Sequence, residues 1–220
     1  SRNQSANLFC VGDDWQAINS FAGSDLRFFN DFEKHFENVE KLYLTNNYRS
    51  CSRIVQAGNK LMDGRGIKGI PTKKELGQVI SVDLDDFKTT LSEIERHPGD
   101  LMTPAILRIV KKCLDNDSDV VLLARRNSLP RSIKFPELPQ GTRPQLSHFL
   151  DLVRSYFPEG LRHKITISTA HGFKGRQKES VVILDALSTA YPLIHPDWVF
   201  SRIHGDELEK IVDEERRLFY

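Results

Sequence analysis

Short apolar runs recur along the chain, at Asn7–Val11, Lys41–Leu44, Val79–Val82, Val120–Ala124, Ile165–Ser168 and Val181–Leu184. Runs of this length, bounded by polar or turn-forming residues, predict buried strands. Between them the spacing changes to a helical period. After Ser50 it places Ile54, Leu61 and Met62 on one side, and over Thr103–Leu114 it aligns Ile106, Leu107, Ile109, Val110, Cys113 and Leu114. Thr103 is suited to cap that second helix and Pro104 to its first turn. Further helices are predicted at Asp25–Phe36, at Gln145–Phe157 with Leu146, Phe149, Leu150 and Val153 inward, and at Glu207–Tyr220, charged and amphipathic. Strands alternating with helices predict an α/β fold built on a largely parallel sheet. Gly64–Thr72 and Ser128–Pro144, rich in Gly, Pro and basic residues, read as loops.

Composition narrows the class without choosing a partner. A chain of 220 residues, 39% hydrophobic, is long enough for one full core and part of another. Its 31 basic and 30 acidic residues nearly cancel, which neither demands nor excludes nucleic acid, because the basic ones can gather on one face. Cys10, Cys51 and Cys113 are far apart and lack nearby His, so neither a disulfide framework nor a zinc site is expected, and a reducing cytoplasm is the natural compartment. No apolar run approaches the roughly 20 residues of a membrane span, so no membrane partner is expected. His35, His97, His148, His163, His195 and His204 show no metal-ligand spacing and read as solvated or capping residues, and no metal site is expected on this chain.

Chemistry is expected where an apolar run breaks into polar residues, because ligands of parallel α/β sheets bind at the carboxyl ends of strands. Three stretches have that form: Val11–Ile18, Asn47–Ser50 and Thr166–Gly175. In the first, Gln16 can hydrogen-bond a terminal phosphate and an attacking water, or simply brace a turn. In the second, Tyr48 offers a planar ring that could cover adenine, and Arg49 a permanent fork for phosphate oxygens. An ordinary surface arginine is the alternative for Arg49, but the positive end of a helix disfavours a cation there. In the third, Thr169, His171 and Lys174 stand among glycines that allow close backbone approach to phosphates. Arg125 and Asn127 follow another strand and could equally be plain loop residues.

Taken together, these stretches resemble the UvrD/Rep-like superfamily 1 DNA helicases. Leu122–Asn127 and Glu214–Tyr220 add two more motifs in the family's order, so the resemblance covers nearly the whole chain. It implies a RecA-like, P-loop NTPase-type fold truncated at both ends, with residues 1–37 the tail of the first RecA-like domain and 38–220 the second, without the large accessory insertion of bigger members. It implies ATP as cofactor with Mg2+, Gln16 and Arg49 as catalytic γ-phosphate contacts, Tyr48 beside the base, and Gln177 at the nucleotide sugar, where many members have Glu. It also implies DNA contacts by Phe21 through stacking, and by Arg125, Asn127, Thr169 and His171 at the backbone. Lys174 either faces phosphate or holds its loop, and Phe21 has the alternative of a core position. Asn19 and Ala22 depart from the family, which commonly has an aromatic and often a basic residue there.

Absences complete the reading. No Gly-Lys dipeptide occurs, hence no Gly-x-x-x-x-Gly-Lys-Ser/Thr phosphate loop. The chain alone is therefore not expected to hydrolyse ATP, and Mg2+ is expected mainly on the missing first domain, itself an expected partner. Ile211–Glu214 superficially resembles a strand leading to a magnesium site, but its charged flanks fit a solvated helix. The start without Met and the stop within Arg216–Tyr220 read as an excised piece, lacking the arginine that ends the family's last motif. The function so implied is ATP-driven movement, 3′ to 5′, along single-stranded and partially duplex DNA. Two alternatives stay open: an ATPase that remodels a protein complex such as RNA polymerase, and a non-catalytic nucleic-acid-binding module. A protein partner is possible and unspecified.

Overall fold

The computed structural model describes residues 8–18, 26–130, 133–134, 145–188, 190–194 and 208–220. These fall into two compact units, one within Ser1–Val79 and Ile194–Tyr220, the other within Ile80–Leu193.

In the first unit, a single 3-10 turn at Asp14–Gln16 precedes two short helices, α1 (Arg27–Asn30) and α2 (Phe32–His35), so the single helix expected to end at Phe36 breaks at Asp31. Strand β1 (Asn46–Asn47) pairs in parallel with β2 (Ile70–Pro71), which lies inside the segment expected to be a loop. The strand expected at Lys41–Leu44 does not form. Leu42 and Leu44 are 81% and 98% exposed, and pairing begins only at Asn46, where Ile70 supplies a neighbour. Asn59, on helix α3 (Ser52–Leu61), donates Nδ2 to the Gly69 carbonyl at 2.8 Å and accepts the Gly69 N–H at 2.9 Å, which pins the entry to β2. The first turn of α3 lacks a side-chain cap, and two of its free N–H groups are met instead by backbone. Ser52 donates to the Glu75 carbonyl at 3.1 Å and Arg53 to that of Leu76 at 2.9 Å.

The second unit opens with α4 (Leu91–Arg96), closed by a capping box between Thr90 and Glu93, and continues into α5 (Met102–Asp115). Thr103 does not cap α5 as expected; Asp100, three residues earlier, does so. The helix buries Ile106, Val110 and Leu114 at helical spacing. Strands β3 (Val120–Ala124), β4 (Ile165–Thr169) and β5 (Ser180–Ile183) form a parallel sheet in the order β4-β3-β5, matching three of the expected strands. Between β3 and β4 lie α6 (Leu146–Ser155) and α7 (Glu159–Arg162); between β4 and β5 lies α8 (Ala170–Phe173).

Alternation sends Val120, Leu122, Ala124 and Ile165 to one face of this sheet, where they join Ile106, Val110, Phe149 and Val153 in one core. Full burial of such side chains stabilises the fold by about 1.5–3 kcal/mol each. Arg154 fastens α6 to β4 by donating twice to the Ile165 carbonyl, at 3.1 and 2.7 Å. The strand expected at Val79–Val82 is absent, and Val79, Ile80 and Val82 are 60%, 64% and 46% exposed. His97, expected to be solvated or capping, is the C-cap residue of α4 and is buried rather than solvated, with its Nε2 3.1 Å from the Tyr156 hydroxyl. His195 and His204 lie outside the described residues.

The first unit is completed by α9 (Leu208–Phe219), which includes the Ile211–Glu214 segment expected to be helical. Sheets are parallel and flanked by helices throughout the described residues, the α/β class that the alternation predicts. None of the described helices is long and apolar enough to cross a membrane.

Candidate functional site

The first polar stretch folds around its own aspartate. Asp13 accepts the Trp15 N–H at 3.1 Å and a hydrogen bond from Gln16 Nε2, so the amide of Gln16 does brace the turn, while the residue as a whole stays exposed. Trp15 points the other way. It is buried, donates Nε1 to the Arg65 carbonyl at 2.6 Å, and meets the Tyr220 ring edge-on at 5.0 Å. Burial pushes the neighbouring Asp14 carboxyl above the usual carboxylate range, against opposing backbone hydrogen bonds and the nearby Arg217 charge.

At Tyr48-Arg49 the chain leaves β1 through an Asx turn. Asn47 Oδ1 accepts the N–H groups of Arg49 at 3.0 Å and Ser50 at 2.9 Å. That turn throws both side chains outward: Tyr48 is 71% exposed, its hydroxyl accepting from Asn46 Nδ2 at 3.2 Å, and Arg49 is exposed as well. Gln16, Tyr48 and Arg49 share one unit, and no hydrogen bond joins Gln16 to either of the others. Phe21, with Asn19 and Ala22, lies outside the described residues.

In the second unit the register pairs Ala124 with Thr169. Arg125 and Asn127, just after β3, and Thr169 and His171, where β4 runs into α8, therefore leave the sheet at the same carboxyl end, on strands about 4.8 Å apart. Thr169 caps α8, its Oγ1 accepting the Gly172 N–H at 3.0 Å. Close packing explains the glycine, because a Cβ at position 172 would stand 3.0 Å from Thr169 Oγ1 and 3.1 Å from Ser168 Oγ. Lys174 ends the turn, exposed, and is followed by Gly175 at φ +79°.

Gln177 does not join this group. It lines a cleft of about 160 Å³ with Val121, Thr166, Ile167, Ser168, Phe173, Arg176 and Lys178. Val121, Thr166 and Ser168 alternate with the core residues, so the cleft lies on the sheet face opposite Leu122 and Ile165. Lys178 is held by Asp119 at 2.7 Å, and this partner lowers the Asp119 carboxyl below its ordinary range.

Chemically, the first unit offers an exposed ring beside an exposed guanidinium and an exposed amide on a braced turn, groups that suit a nucleoside phosphate; the second unit by itself offers hydroxyl, imidazole and ammonium groups at a strand end, groups that suit phosphate oxygens. Among the described residues, no group of three or more His, Cys, Asp or Glu is arranged to hold a metal ion. Residue patterns did not single out Arg65, Arg217 and Tyr220, which pack around the Gln16 turn. The one signal for the last two was their place in the terminal Glu214–Tyr220 stretch.

No protein-family model and no solved structure matches the chain. Curated proteins do. The chain is 30% identical over 140 residues to YjcD of Bacillus subtilis, covering 63% of this chain and 17% of that protein. It is 26% identical over 224 residues to DNA helicase IV of Escherichia coli, covering 100% of this chain and 28% of that one. With the ATP-dependent DNA helicase PcrA of Bacillus subtilis it shares 30% identity over 138 residues, 61% of this chain and 18% of PcrA. It thus spans between 17% and 28% of the length of these relatives. By sequence, the chain is similar to UvrD/PcrA/Rep-type DNA helicases, and its similarity to DNA helicase IV extends over the whole of this chain.

Proposed function

We propose that this chain contributes the tail of the first RecA-like domain, residues 1–37, and the second RecA-like domain, residues 38–220, to an ATP-dependent DNA helicase of the cytoplasm. The Asx turn that holds Tyr48 and Arg49 out to solvent is the observation that carries the proposal. An exposed aromatic beside an exposed guanidinium, fixed by two backbone hydrogen bonds to Asn47, suits adenine and a terminal phosphate shared with the first RecA-like domain. Gln16 would act on the γ-phosphate and its attacking water, and Gln177 on the sugar. Magnesium would be held mainly by the rest of the first domain, where a phosphate loop belongs.

In the same proposal, the carboxyl-end cluster of Arg125, Asn127, Thr169, His171 and Lys174 grips the backbone of single-stranded DNA while Phe21 stacks on a base. ATP turnover then drives the strand 3′ to 5′ and opens the adjoining duplex. This chain by itself, lacking Gly-x-x-x-x-Gly-Lys, would not turn over ATP.

ATP hydrolysis by the full-length protein, with and without single-stranded DNA, tests the reading when native protein is compared with Arg49→Ala. DNA-stimulated hydrolysis that falls by about a thousandfold or more in the variant supports it. Hydrolysis indifferent to DNA favours remodelling of a protein complex, and no hydrolysis by the native protein sinks the motor.

A further inference from the structure

Gln16 sits between two residues that are both fastened to the far end of the chain. Trp15 packs edge-on against Tyr220, with ring planes at 84°, and its Nε1 donates to the Arg65 carbonyl. Arg65 in turn donates Nε to Asp213 Oδ1 on α9 at 2.7 Å. On the other side of Gln16, Arg217 of α9 donates Nε to the Ala17 carbonyl at 2.8 Å. These contacts close a loop from Trp15 through Arg65 and Asp213 to Arg217 and back to Ala17. Among the described residues, the Gln16 side chain is bonded to Asp13, on its own turn.

From this arrangement we infer that Arg217 is a positioning residue for Gln16: its hydrogen bond to the Ala17 carbonyl transmits the placement of α9 to the amide that meets the nucleotide. The inference rests on the proposed role of Gln16 in ATP turnover. Two physical points favour transmission over simple bracing. The turn is only three residues long and its internal hydrogen bonds tie Gln16 to Asp13 and Ala17 to Asp14, so the unit moves as one body and its direction is set by the neighbours that hold Trp15 and Ala17. The two anchors, Arg217 on α9 and Tyr220 directly after its last residue, also grip residues on either side of Gln16, and the Tyr220 N–H is itself bonded to the Arg216 carbonyl of α9 at 3.0 Å. A rotation or shift of α9 therefore displaces Gln16 instead of merely loosening it.

The test is a double-mutant cycle on DNA-stimulated ATP hydrolysis by the full-length protein, using Gln16→Ala, Arg217→Met and their combination, with Arg217→Lys as the conservative variant. Methionine keeps the apolar stem and cannot donate, whereas lysine can still reach a carbonyl. We expect Arg217→Met to lower kcat by about tenfold to a hundredfold, the scale of a misplaced catalytic group, with KM for ATP little changed. Arg217→Lys should recover much of that loss, and the double variant should be no slower than Gln16→Ala alone. Multiplying effects, a change confined to KM, or native rates in Arg217→Met would each overturn the inference while leaving the motor reading intact. A native protein without DNA-stimulated hydrolysis, or a silent Gln16→Ala, would remove the reading and the inference together. If Arg217→Met does not fold, Trp15→Phe takes its place in the cycle, since it withdraws the N–H from Arg65 while keeping a ring against Tyr220.

Discussion

Asp100 holds Thr103 with both carboxylate oxygens: Oδ1 accepts the Thr103 N–H at 2.9 Å and Oδ2 its hydroxyl at 2.7 Å, and both residues are buried. Oδ2 also accepts the Lys134 N–H at 3.1 Å. One side chain thus caps α5 and fixes a distant backbone group. Asp100→Ala would leave the buried Thr103 N–H and hydroxyl unmet, at about 1–3 kcal/mol for each group not reached by water, and would release the N–H of the exposed Lys134. Asp100→Asn should be intermediate, because its amide nitrogen cannot accept from Lys134. Urea unfolding that ranks asparagine with native protein would show that the bond to Lys134 contributes nothing.

Acid should weaken the junction of α4 and α5 through Glu93. The Arg108 guanidinium, with Nε at 2.8 Å from Oε1 and a terminal nitrogen at 2.5 Å from Oε2, and then the Thr90 backbone, hold this carboxyl at about 2, below its ordinary 4.5. A folded-state value below the unfolded one means stability that is fully present above pH 4.5 and is lost as pH falls toward 2. The pair is partly exposed, so screening limits the contribution to about 1 kcal/mol or less. Glu93→Gln, which can keep the capping box, should be less stable than native protein near neutral pH and converge with it across that acid window. A gap that stays constant through the window would refute this account.

Two glycines with similar backbones should respond differently to alanine. Gly77 has φ +67°, and a Cβ there would stand 2.5 Å from Cys51 Cβ, whereas Gly64 has φ +76° with nothing within 4 Å. Gly64→Ala should cost about 1–2 kcal/mol for the left-handed backbone alone. Gly77→Ala adds a clash that only main-chain movement relieves, and Cys51→Ala should not rescue it, because the contact is to Cβ. Equal losses in the two variants, read by thermal unfolding, would contradict this.

How far the sequence could foretell this structure depended on how local each cause is. Val120–Ala124 and Ile165–Ser168 became β3 and β4 because β3 is buried on both faces and gives β4 a full parallel edge to pair with. Leu42–Leu44 has the same apolar character and stayed outside any strand, because a strand also needs a neighbouring edge, and Ile70 offers one only from Asn46 onward. Capping was ambiguous for a similar reason: Thr103 and Asp100 both suit the start of α5, and the deciding Lys134 N–H is 34 positions away from Asp100. The outward display of Tyr48 and Arg49 has a local cause, because Asn47 shapes their turn from within the same four residues. The hold of Arg217 on Ala17, 200 positions apart, had no local signal.

DNA binding should separate the hydroxyl of Thr169 from the charge of Lys174. Thr169 Oγ1 already accepts the Gly172 N–H, and its own hydrogen remains to be donated, so one group can cap α8 and still meet a phosphate oxygen. That hydroxyl is neutral and releases no counterion. Thr169→Val, close in shape, should weaken binding of single-stranded DNA by the full-length protein without altering its salt dependence, and Thr169→Ser should bind as the native protein does. Lys174 carries an exposed charge at the end of the same turn. If it touches phosphate, Lys174→Gln should reduce the slope of log K against log salt by about 1. Anisotropy titrations at several salt concentrations give both quantities. A Lys174→Gln slope equal to native would mean that the ammonium serves the loop, leaving Arg125 to supply the permanent charge of the proposed cluster.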